Sequence, residues 1–197
     1  MKLYHSNNIG NVAVLGHLAS GKTSVIEAMA KRAGITSQLG NIQSGTTLSD
    51  YDEDEIKRQT SINLSVIPLE WDSCKINLLD TPGNFDYVGE VEAALHVAES
   101  AVIVVPSYKD ISIGTKQAMF KAKDKAKIIY INGLDNPDAD YKEKLEEAIG
   151  SEAITASLQE NGLSEAIFTA GEKDVTKILA NRRKQMALEV KEFYKTL

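Results

Sequence analysis

One cysteine, Cys74, and three histidines, His5, His17 and His96, stand scattered along the 197-residue chain. A lone thiol excludes an internal disulfide, and these residues lack the spacing of zinc ligands, so neither staple replaces a core. Long hydrophobic runs are missing as well. No uninterrupted apolar stretch nears the roughly 20 residues of a membrane-spanning helix, and residues 1 to 10, MKLYHSNNIG, lack a signal-peptide core. Positive charge is in short supply, with 22 Lys and Arg against 28 Asp and Glu and a formal net charge of −6. That balance excludes general coating of nucleic acid, which needs clustered cations. The expectation is a soluble, cytoplasmic, monomeric chain without structural metal. One segment departs from the acidic background, where Lys116, Lys121, Lys123, Lys125 and Lys127 crowd together. A solvated helix face explains them, with contact to RNA or an acidic partner as the alternative.

What is present is an alternation of strand-like and helix-like segments. NVAVLG, residues 11 to 16, reads as a short buried strand, and KTSVIEAMAKRAG places Val25, Ile26, Met29 and Ala30 at helical spacing before a stop at Gly34. Residues 35 to 61 carry little periodicity and an acidic run, and read as a long functional loop. INLSVIPLEW and CKINLLD, separated by Asp72-Ser73, read as a hairpin. After Pro82-Gly83, a helical stripe gathers Tyr87, Val88, Val91, Ala94, Leu95 and Ala98. Strand AVIVVPS, a helix near 114 to 126, strand KIIYING, a helix near 139 to 149, a helical stretch near 151 to 161, strand AIFTA and a last helix running to Leu197 complete the pattern. The prediction is an α/β fold, a mixed and mostly parallel sheet of about six strands with helices on both faces, forming one domain over 1–197. Whether the chain is a natural short protein or a fragment of a longer multidomain factor is left open.

The chemistry concentrates at two places. GHLASGKT, comprising Gly16, His17, Leu18, Ala19, Ser20, Gly21, Lys22 and Thr23, fits the Walker A pattern and stands where a strand should pass into a helix. There backbone N–H groups wrap phosphates at a helix N-terminus, Lys22 reaches the β and γ oxygens, and the Thr23 hydroxyl ligates magnesium. Asp80 ends the third strand and faces the same cleft, where it holds magnesium through water; Gly83 offers an unobstructed backbone N–H to the γ phosphate. On its own, Asp-Thr-Pro-Gly is also a good turn. Asn132 and Asp135 of INGLD follow an apolar strand, and an Asp carboxylate accepts the paired N1 and N2 donors of guanine, which adenine lacks. Asn-Gly alone would again pass for a turn. The ligands so implied are GTP or GDP with Mg²⁺.

In this order, GHLASGKT, SGTTLSDYDEDEIKRQTSINLSVIPLEW, LLDTPGNFDYVGEVEAAL and NGLD resemble a translational GTPase of the elongation factor G and elongation-factor-G-like family, over about residues 10 to 135. The resemblance implies a P-loop G domain that hydrolyses GTP, with the ribosome as partner. It makes residues 44 to 62 the first switch loop and Ser61 the counterpart of the family's magnesium-ligating Thr. Thr169-Ala170-Gly171 matches weakly the late loop that touches the base. Several positions depart from the family pattern. Asn84 replaces the His after Asp-Thr-Pro-Gly, Thr60 an Ile, Gln59 a Gly, Gly133 the Lys that covers the base, and Ala19 an Asp of the phosphate loop. The interval from 136 to 168 is too short for the subdomain that elongation factor G inserts there.

Lys22, magnesium and the Gly83 amide leave hydrolysis chemically possible, while the short neutral Asn84 implies a weak intrinsic rate that a partner would raise. Asn84, Lys22 and Gly83 are therefore the candidate catalytic groups. Two alternatives are a module that holds GTP without cleaving it and a P-loop enzyme that uses ATP.

Overall fold

The computed structural model describes residues 3–107, 111–133 and 153–155. Strands β1 (Ile9–Leu15), β2 (Ser65–Trp71), β3 (Cys74–Asp80), β4 (Ser100–Pro106), β5 (Ala126–Asn132) and β6 (Ala153–Thr155) form one sheet in the order β2-β3-β1-β4-β5-β6. Among the described residues only β2 and β3 pair antiparallel; the other pairs run parallel. The β2–β3 turn is two residues long, with Asp72 at φ 46° and Ser73 at φ 63°, the twist a tight hairpin requires.

Helices cover both faces, and strand alternation decides which side chains meet them. Val12 and Val14 of β1, Ile76 and Leu78 of β3, and Val102 and Val104 of β4 point toward helix α1 (Lys22–Arg32), which contributes Val25, Ile26 and Met29. Ala13, Leu15, Ala101, Ile103, Ile129 and Ile131 point the other way, toward α3 (Val88–Val97) and α4 (Ile113–Lys121), with Ala94, Leu95 and Ala118. Two buried layers thus clamp a sheet that is apolar on both sides, as parallel sheets are.

Three expectations need correction. Residues 35–61 are not wholly irregular, because Glu53–Arg58 forms helix α2, opened by an Asp52/Glu55 capping box and closed by Gln59 at φ 54°. Six residues are too few to show hydrophobic periodicity, yet Asp-x-x-Glu is itself a helix-start signal. Residues 153–155 form a strand beside β5 inside the stretch expected to be helical, since three residues of edge strand carry no periodic pattern. The helix near 114–126 ends at Lys121, so the five lysines share no single helix face. Lys121 pairs with Glu92, Lys125 donates to the Ala98 carbonyl at 2.9 Å, and Lys127 donates to the Lys123 carbonyl at 3.4 Å. The helix at 139–149, the strand AIFTA and the last helix lie outside the described residues.

Parallel register brings several strand ends to one edge: Val14 stands beside Asp80, Leu15 beside Ile103 and Pro106 beside Asn132. The segments leaving β1, β3, β4 and β5 therefore emerge together, where ligands bind in open α/β sheets. Among the described residues no helix is long and apolar enough to cross a membrane.

Candidate functional site

The loop between β1 and α1 reverses direction by adopting conformations that side chains disfavour. Gly16 has φ 152°, and a Cβ there would lie 2.5 Å from the Val104 carbonyl oxygen, so only glycine fits. Gly21 takes φ 90° at the N-cap of α1, and Ala19 sits in the left-handed region at φ 58°, where a non-glycine residue stores strain. Lys22 then folds back over the loop, its Nζ donating to the carbonyls of Gly16 at 3.3 Å and His17 at 3.1 Å. His17 stacks at a tilt on Phe85, ring centroids 5.9 Å apart, and the Leu18 backbone lies against Gly83.

Thr23, one residue into α1, donates through Oγ1 to Asp80 Oδ2 at 2.9 Å and stands 3.4 Å from Ser61 Oγ. The three expected magnesium groups thus converge, although Thr23 and Asp80 are 57 residues apart in sequence. Asp80 is 1% exposed, and its second oxygen, Oδ1, has no hydrogen-bond partner among the described residues. An orphaned, buried carboxylate oxygen beside two hydroxyls is the donor set a hard cation takes, so these residues fit Mg²⁺. Burial lifts the Asp80 carboxyl to about 6 despite the Lys22 cation and the Ser49 and Thr23 hydroxyls, which favour its charged form. Burial likewise lowers Lys22, against the opposing pull of Asp80 and Asp50. Both groups stand ready for opposite charge to be brought to them.

Gly83 follows Pro82 directly above this cluster. A Cβ there would lie 2.5 Å from Lys22 Nζ and 2.8 Å from the Leu18 backbone, so the Asp-Thr-Pro-Gly turn is pressed onto the phosphate loop and is more than a turn. Asn84 faces elsewhere. Its Oδ1 accepts from the Asp86 N–H and its Nδ2 donates to Asp86 Oδ2, both at 3.3 Å, capping the 3-10 turn Phe85–Tyr87 that leads into α3. At the other end, Asn132 Nδ2 donates to the Ser20 carbonyl at 3.0 Å, tying the base motif to the phosphate loop. Gly133 takes φ 80°, which suits glycine where the family carries Lys. Asp135, Thr169 and Ala170 lie outside the described residues.

The family model described as the elongation factor Tu GTP binding domain matches residues 7–192. The chain belongs to that family. It is similar to an elongation factor G-like protein of Mycobacterium tuberculosis, 35% identical over 151 residues, which covers 74% of this chain and 21% of the relative. It is also similar to a mitochondrial ribosome-releasing factor 2 of Drosophila willistoni, 34% identical over 73% of this chain and 20% of the relative. The chain spans about a fifth of the length of these relatives. Among solved structures, a protein of Thermus thermophilus superposes with TM-score 0.69 at 31% identity, covering 74% of this chain and 23% of that one. Translation elongation factor SelB of Methanococcus maripaludis shares the fold, with TM-score 0.61 at 19% identity over 88% of this chain and 34% of that one.

This G domain also uses acidic residues that the sequence reading passed over. Asp50 is buried close enough to Lys22 and Asp80 to feel their charges; burial, ahead of the Glu55 charge, raises it above the usual carboxylate range. Glu27, on α1, accepts from the Gly40 N–H at 3.1 Å and from the Leu48 N–H. Glu55 and Glu90 accept from amides following Ser61. Only the Asp52-x-x-Glu55 spacing offered a sequence signal for any of them; the rest depend on partners distant in the chain.

Proposed function

We propose that this G domain binds GTP and GDP together with Mg²⁺, and that alone it cleaves GTP to GDP and phosphate slowly. The observation that carries the reading is the convergence of Thr23, Ser61 and Asp80 beneath Gly83 and the phosphate loop. Backbone N–H groups of the loop receive the α and β phosphates at the N-terminus of α1. Lys22 exchanges the Gly16 and His17 carbonyls for β and γ oxygens, trading neutral acceptors for charged ones. Thr23 and Ser61 offer hydroxyls to the metal, and Asp80 holds its water shell. Magnesium bound there would neutralise phosphate charge. The Gly83 N–H would donate to the γ phosphate, so that the switch turn would follow its presence. Asn132 braces the loop, Asp135 selects guanine, and Thr169 and Ala170 belong to the late loop that touches the base through its backbone.

Asn84 limits the chemistry. To orient an attacking water, its amide must leave the cap it makes with Asp86, and caps of this kind are worth about 1 kcal/mol. It is also shorter than the family's His. The same contacts favour a second reading, a switch that holds GTP without effective cleavage. The relatives' names, ribosome-releasing factor and elongation factor G-like protein, support the ribosome as the partner that raises the rate. We place the domain, as a monomer, in the cytoplasm, although one relative is mitochondrial by name.

Single-turnover cleavage of bound GTP, wild type beside Asn84→His, with and without magnesium and ribosomes, tests this. Slow wild-type cleavage that requires magnesium and quickens with ribosomes is expected. Cleavage confined to the His variant would establish the second reading, and many turnovers per second from the isolated wild type would contradict the role given to Asn84.

A further inference from the structure

Ser61 is the one magnesium group that neither the phosphate loop nor a sheet strand holds. It stands between Gln59, which turns the chain out of α2 at φ 54°, and β2, which begins at Ser65. The Asp50 carboxyl meets its hydroxyl, and Glu55 fixes the backbone on either side of it. Glu55 is 1% exposed. Its backbone carbonyl accepts from the Thr60 N–H at 3.2 Å, immediately before Ser61. Its Oε1 accepts from the Ile62 N–H and the Asn63 N–H, both at 2.9 Å, immediately after Ser61, and from Asn63 Nδ2 at 3.4 Å. Only Oε2 serves the capping box, accepting from the Asp52 N–H at 3.3 Å. One residue thus brackets Ser61 on both sides, and Glu90 of α3 continues the row by accepting from the Leu64 N–H at 2.9 Å.

A helix cap needs one carboxylate oxygen, and here the other is committed to the two amides beyond the metal group. A buried carboxylate needs its lone pairs filled, so the arrangement holds both ways: the amides fill those of Glu55, and Glu55 keeps the amides in line. The consequence is a Ser61 hydroxyl already 3.4 Å from Thr23 Oγ1. A serine has no β-methyl group to pack and restrict its rotamer as the family's threonine does, so its placement leans harder on the backbone.

We infer that Glu55 is a positioning residue for the magnesium site, presenting Ser61 to the cation through the amides of Thr60, Ile62 and Asn63. This rests on the reading of Thr23, Ser61 and Asp80 as magnesium groups, and deepens it. Glu55 acts through the loop backbone and is not itself one of the magnesium groups. Its Oε1 preorganises the loop, so part of the ordering cost is met before the metal arrives.

The test follows release of a slowly cleaved fluorescent GTP analogue while free magnesium is varied, in wild type, Glu55→Gln, Ser61→Ala and the double variant. The expected result is that magnesium slows release from the wild type, and that Glu55→Gln raises the magnesium concentration needed by about tenfold, the equivalent of one lost hydrogen bond. Ser61→Ala should do the same, and the double variant should be little worse than either alone. Unchanged magnesium dependence in Glu55→Gln, beside a shift in Ser61→Ala, would overturn the inference and leave the magnesium reading standing. Release insensitive to magnesium in the wild type would overturn both. Amide hydrogen exchange on the wild type, free of nucleotide and magnesium, tests the same point should Glu55→Gln fail to fold. Slow exchange at Ile62 and Asn63 is expected; exchange as fast as in an unstructured peptide would overturn it.

Discussion

Two loops meet on α1 and are built by opposite means. The phosphate loop, Gly16 to Gly21, is short and shaped by its own backbone: positive φ angles make the turn and Ser20 N–H donates to the His17 carbonyl at 3.2 Å, with the side chains of Lys22 and Asn132 donating to its carbonyls. The segment from 35 to 64 is long and held by carboxylates, Glu27 and Glu90 from outside it and Glu55 of α2 from within. Carboxylates on three helices, Glu27, Glu55 and Glu90, accept the N–H groups of Gly40, Leu48, Ile62, Asn63 and Leu64. A turn set by backbone angles keeps its shape when Lys22 leaves its carbonyls for phosphate. A segment that depends on carboxylates of three separate helices can be released when those helices move, which is what a switch needs.

The contrast is broken most severely at Lys22. Lys22→Ala should weaken GDP and GTP binding by about 3–6 kcal/mol, a hundredfold or more, because two charge-assisted bonds to phosphate disappear. Titration with fluorescent GDP measures it. Unfolding stability should hardly fall, since burial already disfavours the Lys22 cation. Glu27→Ala should do the reverse. It leaves the N–H groups of Gly40 and Leu48 without acceptors and should cost about 2–4 kcal/mol in urea unfolding, with a smaller effect on nucleotide binding. Equal losses of binding and stability in both variants would erase the distinction between the loops.

Gly83→Ala sharpens it where the loops meet the switch turn. The added Cβ would press on Lys22 Nζ and the Leu18 backbone, and overpacking of this kind costs about 1–3 kcal/mol. Thermal unfolding with and without GTP should show the larger loss in the GTP form. The smallest effect is expected at Gln59, a left-handed residue where the family has glycine. Gln59→Gly should raise stability by about 1 kcal/mol in urea unfolding, by removing the Cβ clash.

The same contrast explains what could be read from the sequence. The phosphate loop was legible because its determinants are neighbours: two glycines, Lys22 and Thr23 sit between an apolar strand and an apolar helical stripe. The alternation of apolar strand-like runs with helical stripes made the layered sheet legible for the same reason. Asp80 and Asn132 were legible as strand-ending residues. Glu27 was not, because its partner amides lie 13 and 21 residues further on and nothing local marks it. Helix α2 and strand β6 escaped because six and three residues are too few for a period to appear. The role of Asn84 as a cap depends on Asp86 two residues away, a spacing that the Asx-turn rules cover.

The central claim is a magnesium-dependent guanine nucleotide site, and competition against fluorescent GDP tests it most directly. With magnesium present, unlabelled GTP should displace the probe at concentrations about a hundredfold below ATP, the discrimination expected when adenine leaves a carboxylate without its paired donors. Displacement by ATP at the same concentration as GTP would contradict it.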